Sequence, residues 1–181
     1  MSDTIVLRPA VETDLPAINA IYGDAVAHGT ASYELEPPSL EEMTRRWRAL
    51  TERGFPYFTA ERGGAILGFA YAGPYRERRA YRFTVENAVY VATATRRSGV
   101  GRALMEKLVE TCEAMGFRQM IAVIGDGTNH AASVGLHAAL GFRMVGVIEG
   151  SGYKFDRWLD TALMQRALGD GASCAPREIS P

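Results

Sequence analysis

The chain has 181 residues, 47% hydrophobic and 23% charged, which fits one domain with a sizeable buried core. Twenty basic residues against twenty-one acidic ones leave a formal charge of −1, which excludes the strongly basic footprint of a nucleic-acid binder. No apolar run approaches the roughly 18 residues of a membrane-spanning helix.

Along the chain, Ile5-Val6-Leu7 reads as a short strand closed by Pro9. Asp14 is a candidate N-cap. Leu15, Ile18, Ile21, Tyr22 and Ala25 then recur at helical spacing, and Gly29 stops the pattern. After Pro37-Pro38, Ser39 and Glu42 form a capping-box pattern for a second helix, with Met43, Trp47 and Leu50 on one face. Residues Tyr57 to Glu61 and Ala65 to Tyr71 flank Gly63-Gly64 as a hairpin. Thr84 to Ala92 is rich in β-branched and aromatic residues and predicts a strand. A third helix carries Leu104, Leu108, Cys112 and Met115 on one stripe, with Gly116 as its C′ residue.

Met120 to Ile124 is a continuous apolar run, expected of a strand covered on both faces. A helix follows from Ala131 to Leu140. Phe142 to Ile148 and Tyr153 to Gln165 are expected as two antiparallel strands. From Gly169 the composition turns to Gly, Ala, Ser and Pro, so residues 1–168 are expected as one domain and 169–181 as a flexible tail. This order predicts an α/β mixture, with a mixed sheet and helices on both sides. The N-terminus lacks the basic start and apolar stretch of a signal peptide, and Cys112 and Cys174 are too few for a disulfide framework. A cytoplasmic protein with no membrane and no nucleic-acid partner is expected.

The most informative segment is Val89-Tyr90-Val91 followed by Arg96-Arg97-Ser98-Gly99-Val100-Gly101-Arg102. A strand, a glycine turn and a helix start make an anion cradle. Glycine admits a ligand close to the backbone, and the first N–H groups of a helix lack intrahelical partners. Arg96, Arg97 and Arg102 add charge suited to phosphate. A bland alternative is a helix start that merely needs glycine to turn. The Walker-type loop is absent, and the dinucleotide fingerprint fails at Leu104, where its third glycine belongs. His130 and His137 stand seven residues apart, roughly 10 Å along a helix, too far for one zinc ion, and no metal site is expected.

Arg96-x-x-Gly99-x-Gly101, after a strand and opening a long helix, resembles the acyl-CoA pyrophosphate loop of the GNAT superfamily of N-acetyltransferases. Asn129…Ser133…Leu136-His137…Leu140-Gly141-Phe142 resembles that superfamily's second signature. The likeness runs from Leu7-Arg8-Pro9 to Trp158-Leu159-Asp160. Thr84-Val85-Glu86, Ala122-Val123-Ile124-Gly125 and Lys154-Phe155 make it similar to the phosphinothricin acetyltransferase branch, with its relatives that acetylate methionine sulfoximine and methionine sulfone.

The resemblance implies a mostly antiparallel twisted sheet of about seven strands flanked by about four helices, acetyl-CoA as acyl donor, a small-molecule amine as acceptor and a homodimer. It implies Glu86 as general base, a carboxylate able to take the proton of an attacking ammonium. It implies His137 as the acid for the leaving thiolate, although a histidine that merely packs there fits equally. Val89, Tyr90 and Val91 would pair with pantetheine through their backbone, and residues Arg96, Arg97, Ser98, Gly99, Val100, Gly101 and Arg102 would hold the pyrophosphate. Asn129 would bond the pantetheine arm. It stands four residues before Ser133 where the family spacing is three, so His130 remains an alternative. Substrate contacts are expected at Tyr33, Arg76, Arg82, Glu86 and Asn87, the arginines as a carboxylate or phosphinate clamp. Rival readings are transfer to a protein N-terminus or an aminoglycoside, and a CoA-binding sensor without turnover.

Overall fold

A computed structural model describes residues 4–127 and 129–178. In chain order it contains β1 (Val6–Pro9), α1 (Leu15–His28), α2 (Leu40–Thr51), β2 (Tyr57–Arg62), β3 (Ala65–Pro74) and β4 (Thr84–Val91). There follow α3 (Val100–Ala114), β5 (Gln119–Gly125), α4 (Ala131–Ala139), β6 (Arg143–Lys154) and β7 (Arg157–Ala167). Among the described residues the seven strands form one sheet in the order β1-β2-β3-β4-β5-β7-β6. Every neighbouring pair is antiparallel except β4–β5.

Apolar side chains fill both faces of this sheet. Leu104, Leu108 and Cys112 of α3 pack with Ala70, Val85, Met120 and Met164 on one face, joined by Val134 and Leu136 of α4. Leu15, Ile18, Tyr22 and Val26 of α1 and Met43 of α2 pack with Tyr57 and Phe69 on the other. The alternation along β4 divides its residues between the two. Val85 belongs to the α3 side, and Tyr90 packs on the α1 side, edge-on to Tyr22 at 4.9 Å.

Several local expectations are corrected. Asp14 precedes α1, but its carboxylate does not cap that helix; it accepts from Val11 N and from Arg8 at 2.7 and 2.8 Å. Ser39 does accept from Glu42 N (3.2 Å), whereas the Glu42 side chain turns to Arg45 and Arg46 rather than closing the box. Met115 lies beyond the end of α3 and is exposed. In β5, Met120, Ala122 and Ile124 are buried, but Val123 is 41% exposed, because its face of the strand borders an open cleft rather than a packed helix. The last hairpin turns at Phe155-Asp156 instead of around Gly150. Both turn residues adopt left-handed φ (52° and 55°), and the glycine stretch is a register irregularity within β6. Glycine was the stronger turn signal in the sequence, but aspartate also tolerates this conformation.

Residues 169–178 run back along the domain. The Arg118 guanidinium donates to Gly171 O (2.9 Å) and Cys174 O (3.2 Å), and Arg82 pairs with Glu178 (2.7 Å). The final three residues of the expected tail lie outside the described residues. Among the described residues, no helix is long and apolar enough to cross a membrane.

Candidate active site

The parallel register of β4 and β5 runs only from Thr84/Gln119 to Asn87/Ala122. Beyond it the strands part. Ala88 to Val91 keep β3 on one side but have no strand partner on the other among the described residues. Unpaired backbone groups at such an edge can accept an added extended chain. A cleft of about 290 Å³ opens there, lined by Glu86, Tyr90, Ile124, Tyr33, His130 and His137 among others.

At the end of β4 the chain makes one short turn at Thr93–Thr95 and enters α3. Arg97 (φ 63°) and Gly99 (φ 84°) both take left-handed conformations, and Gly99 is the N-cap with no side chain capping the helix. These left-handed residues, after an extended Arg96, bend the chain sharply into the helix, whose first N–H groups lack intrahelical partners and whose dipole adds positive potential. Residues Arg96 to Gly99 are exposed. A Cβ built on Gly99 meets nothing within 4 Å, so left-handed backbone rather than crowding calls for glycine. Arg102 is engaged by Glu106 at 2.8 Å.

Glu86 lies on the α1 side of β4, half-buried, and its carboxylate makes no hydrogen bond or ion pair with the described residues. Burial alone pushes its pKa above the ordinary carboxylate value. His137 of α4 is 2% exposed and packs edge-on to Phe142. Its Nδ1 donates to Ser133 O (2.8 Å), and its Nε2 lies 3.0 Å from Asn87 Oδ1, while Asn87 Nδ2 donates to Ile121 O (3.1 Å). Both ring nitrogens thus face oxygen acceptors, which only an imidazolium satisfies in full. Burial opposes that charge and lowers the His137 pKa.

A model of the acetyltransferase (GNAT) family matches residues 19–142. The chain belongs to that family. This acetyltransferase is 49% identical over 170 residues to the phosphinothricin N-acetyltransferase of Alcaligenes faecalis, covering 94% of this chain and 86% of the relative. It is 40% identical to the L-methionine sulfoximine/L-methionine sulfone acetyltransferase of Pseudomonas paraeruginosa, covering 94% and 98%. The crystal structure of a phosphinothricin acetyltransferase from Sinorhizobium meliloti in complex with acetyl-CoA superposes with a TM-score of 0.95. That protein is 48% identical, and the match covers 98% of this chain and 96% of the other.

The acetyltransferase brings some of the expected residues together and separates others. Glu86, Asn87, Val89, Tyr90, Tyr33 and His137 all line the cleft. Asn87, expected at the substrate, spends its amide on His137 and Ile121. Asn129 donates to Asp126 Oδ1 (2.9 Å), and His130 rather than Asn129 precedes α4 as its N-cap residue. His130 lines the cleft with Nδ1 buried and unpartnered among the described residues. Arg76 and Arg82 do not line this cleft. Arg76 lies over the Tyr75 ring and Arg82 over the Phe83 ring, around a separate pocket with Arg53, Tyr81 and Glu178.

Tyr33 is more firmly held than a loop tyrosine would be. Its hydroxyl donates to Asp160 O (2.9 Å) and accepts from Asp126 N and Thr161 Oγ1, both at 3.1 Å. Sequence reasoning missed Asp126, which sits at φ 53°, binds Arg157, and has its pKa lowered by that guanidinium. The only prior signal was Asp-Gly after a strand, an ordinary turn pattern.

Proposed function

We propose that the chain moves the acetyl group of acetyl-CoA to the primary amine of a small amino-acid-like acceptor of the phosphinothricin, methionine sulfoximine or methionine sulfone type. The reading rests chiefly on Glu86, an ionisable group in the cleft with no hydrogen-bond or ion-pair partner among the described residues, two positions before the unpaired β4 edge begins. The named relatives point the same way.

The residues present fit acetyl-CoA. Backbone amides of Arg97 to Gly101, with Arg96, Arg97, Ser98 and Arg102 at the rim, would hold the pyrophosphate. The edge from Val89 to Val91 would pair with pantetheine, and Asn129 or the unpartnered His130 Nδ1 would bond its polar groups. When bound, the cofactor supplies a thioester acyl donor. Glu86 takes a proton from the acceptor ammonium, a role favoured by its raised pKa. A Val91 N–H would stabilise developing negative charge on oxygen. His137 would supply a proton to the leaving sulfur, and doing so releases its Nε2 link to Asn87. Tyr33 walls the acceptor side.

Residues 1–168 form the catalytic domain in this reading, and the protein works in the cytoplasm as a homodimer. An apolar surface supports pairing: Val145, Val147, Ile148, Tyr153 and Trp158 are exposed along β6 and β7. Free thiols at Cys112 and Cys174 suit a reducing compartment.

Thiol release from acetyl-CoA, followed with phosphinothricin, methionine sulfoximine, methionine sulfone, an aminoglycoside and a peptide as acceptors, tests the reading. Turnover with the small amino-acid analogues is expected. Turnover only with peptide or aminoglycoside, or tight CoA binding with no turnover at all, would overturn it.

A further inference from the structure

Lys154, the last residue of β6, is 4% exposed although lysine is rarely buried. Its ammonium donates to three backbone carbonyls: Val26 O at 2.7 Å, Gly29 O at 3.0 Å and Ser32 O at 3.0 Å. Three donors meet three acceptors, so the buried charge is fully hydrogen-bonded without a contacting carboxylate. Glu34, an acidic group whose charge acts on it, is held by Arg46 (2.6 Å) and Tyr22 (2.8 Å). Val26 belongs to the last turn of α1, where carbonyls have no helical partners and a cation is favoured.

The three carbonyls span the exit from α1 to the segment Ala31-Ser32-Tyr33, which walls the cleft. The same segment is fixed at its far end by the Tyr33 hydroxyl on Asp160, Asp126 and Thr161. Ser32 adds a contact between its Oγ and Tyr22 (3.0 Å). Without Lys154 the carbonyls of Val26, Gly29 and Ser32 would lose the one donor that ties them together.

We propose that Lys154 is a positioning residue for the acceptor site: its ammonium gathers the carbonyls after α1 and so sets the wall formed by residues 31–33. The role rests on acyl transfer taking place in this cleft. It concerns acceptor binding, since the hydrogen bonds of Lys154 among the described residues all go to the segment after α1 and none to the glycine turn before α3 or the β4 edge.

The test compares Lys154→Met and Lys154→Arg with the wild type, using full-length protein and an acceptor that the wild type acetylates. Misplacement of about 1 Å can cost up to about 100-fold. Accordingly, Lys154→Met is expected to raise the acceptor KM about tenfold or more, with the acetyl-CoA KM within twofold. Amide exchange should quicken in a peptide covering residues 27–35 and stay unchanged in α3. Arginine keeps the charge, but its planar fork cannot point three N–H groups at carbonyls converging on one nitrogen. Lys154→Arg should therefore show the same selective rise, and it decides the matter if the methionine variant fails to fold. An acceptor KM within twofold of wild type, or a parallel rise of both KM values, overturns the proposal. A wild type that acetylates no acceptor overturns the acyl-transfer reading instead, and the exchange measurement then judges Lys154 alone.

Discussion

Replacing Glu86 with Gln keeps the shape of the side chain and removes its ability to take a proton. General-base assistance is worth roughly 10²- to 10⁴-fold. At about 1.36 kcal/mol per tenfold, the barrier should rise by about 2.7–5.4 kcal/mol. Stability should move the opposite way. Burial raises the Glu86 pKa in the fold, so the native state holds this proton more tightly than the unfolded chain. Stability is therefore lost as pH rises from the ordinary carboxylate value through the raised one, and at neutral pH the ionised group is a net cost. Glu86→Gln should melt at or above the wild-type temperature at pH 7, with the gap closing below about pH 4. The assays are thiol release at saturating donor and acceptor between pH 5 and 9, calorimetric melting, and titration with CoA. The wild-type profile should show an acid limb that the variant lacks, with CoA affinity within twofold. Turnover within a few-fold of wild type, or an unchanged acid limb, would refute the assignment.

Three further outcomes are expected. A Cβ on Gly152 would stand 2.5 Å from the Tyr33 ring, so Gly152→Ala should displace the ring and raise the acceptor KM while leaving the acetyl-CoA KM unchanged in steady-state kinetics. Asp14→Ala removes the Arg8 and Val11 bonds and should lose about 1–3 kcal/mol in urea unfolding at pH 7. The Asp14 pKa is lowered by Arg8, so this contribution is present above the ordinary carboxylate value and lost as pH falls toward the folded one; the variant and wild type should converge in acid. Ellman's reagent should titrate one thiol in the native protein and two in denaturant, because Cys174 is exposed whereas burial pushes the Cys112 thiol up to about 12.

Periodicity revealed the helices and most strands, because helices cover both faces of β2 to β4 and the apolar spacing follows from that. The glycine turn before α3 was legible because it depends on local chain geometry. Glu86 was legible only through the family resemblance, since a lone strand carboxylate otherwise reads as solvent-facing. The last hairpin was misplaced because its turn uses Phe155 and Asp156 in left-handed conformations, a choice enforced by pairing with β7 rather than by residue type. Lys154 entered the sequence reading only as part of the family resemblance; its structural role was hidden, since its three partners are backbone carbonyls more than 120 positions away, and any residue type can supply those. Arg76 and Arg82 were visible in the sequence close before β4, but their distance from Glu86 depends on which side of the sheet their loop folds.

The short parallel contact between β4 and β5 is also a seam. One portion of the sheet, β1 to β4, meets the other, β5 to β7, through only four residue pairs. Anything lying along the open β4 edge and touching β5 or α4 would act as a staple across that seam. Ligand occupancy should then govern how cooperatively the two portions melt.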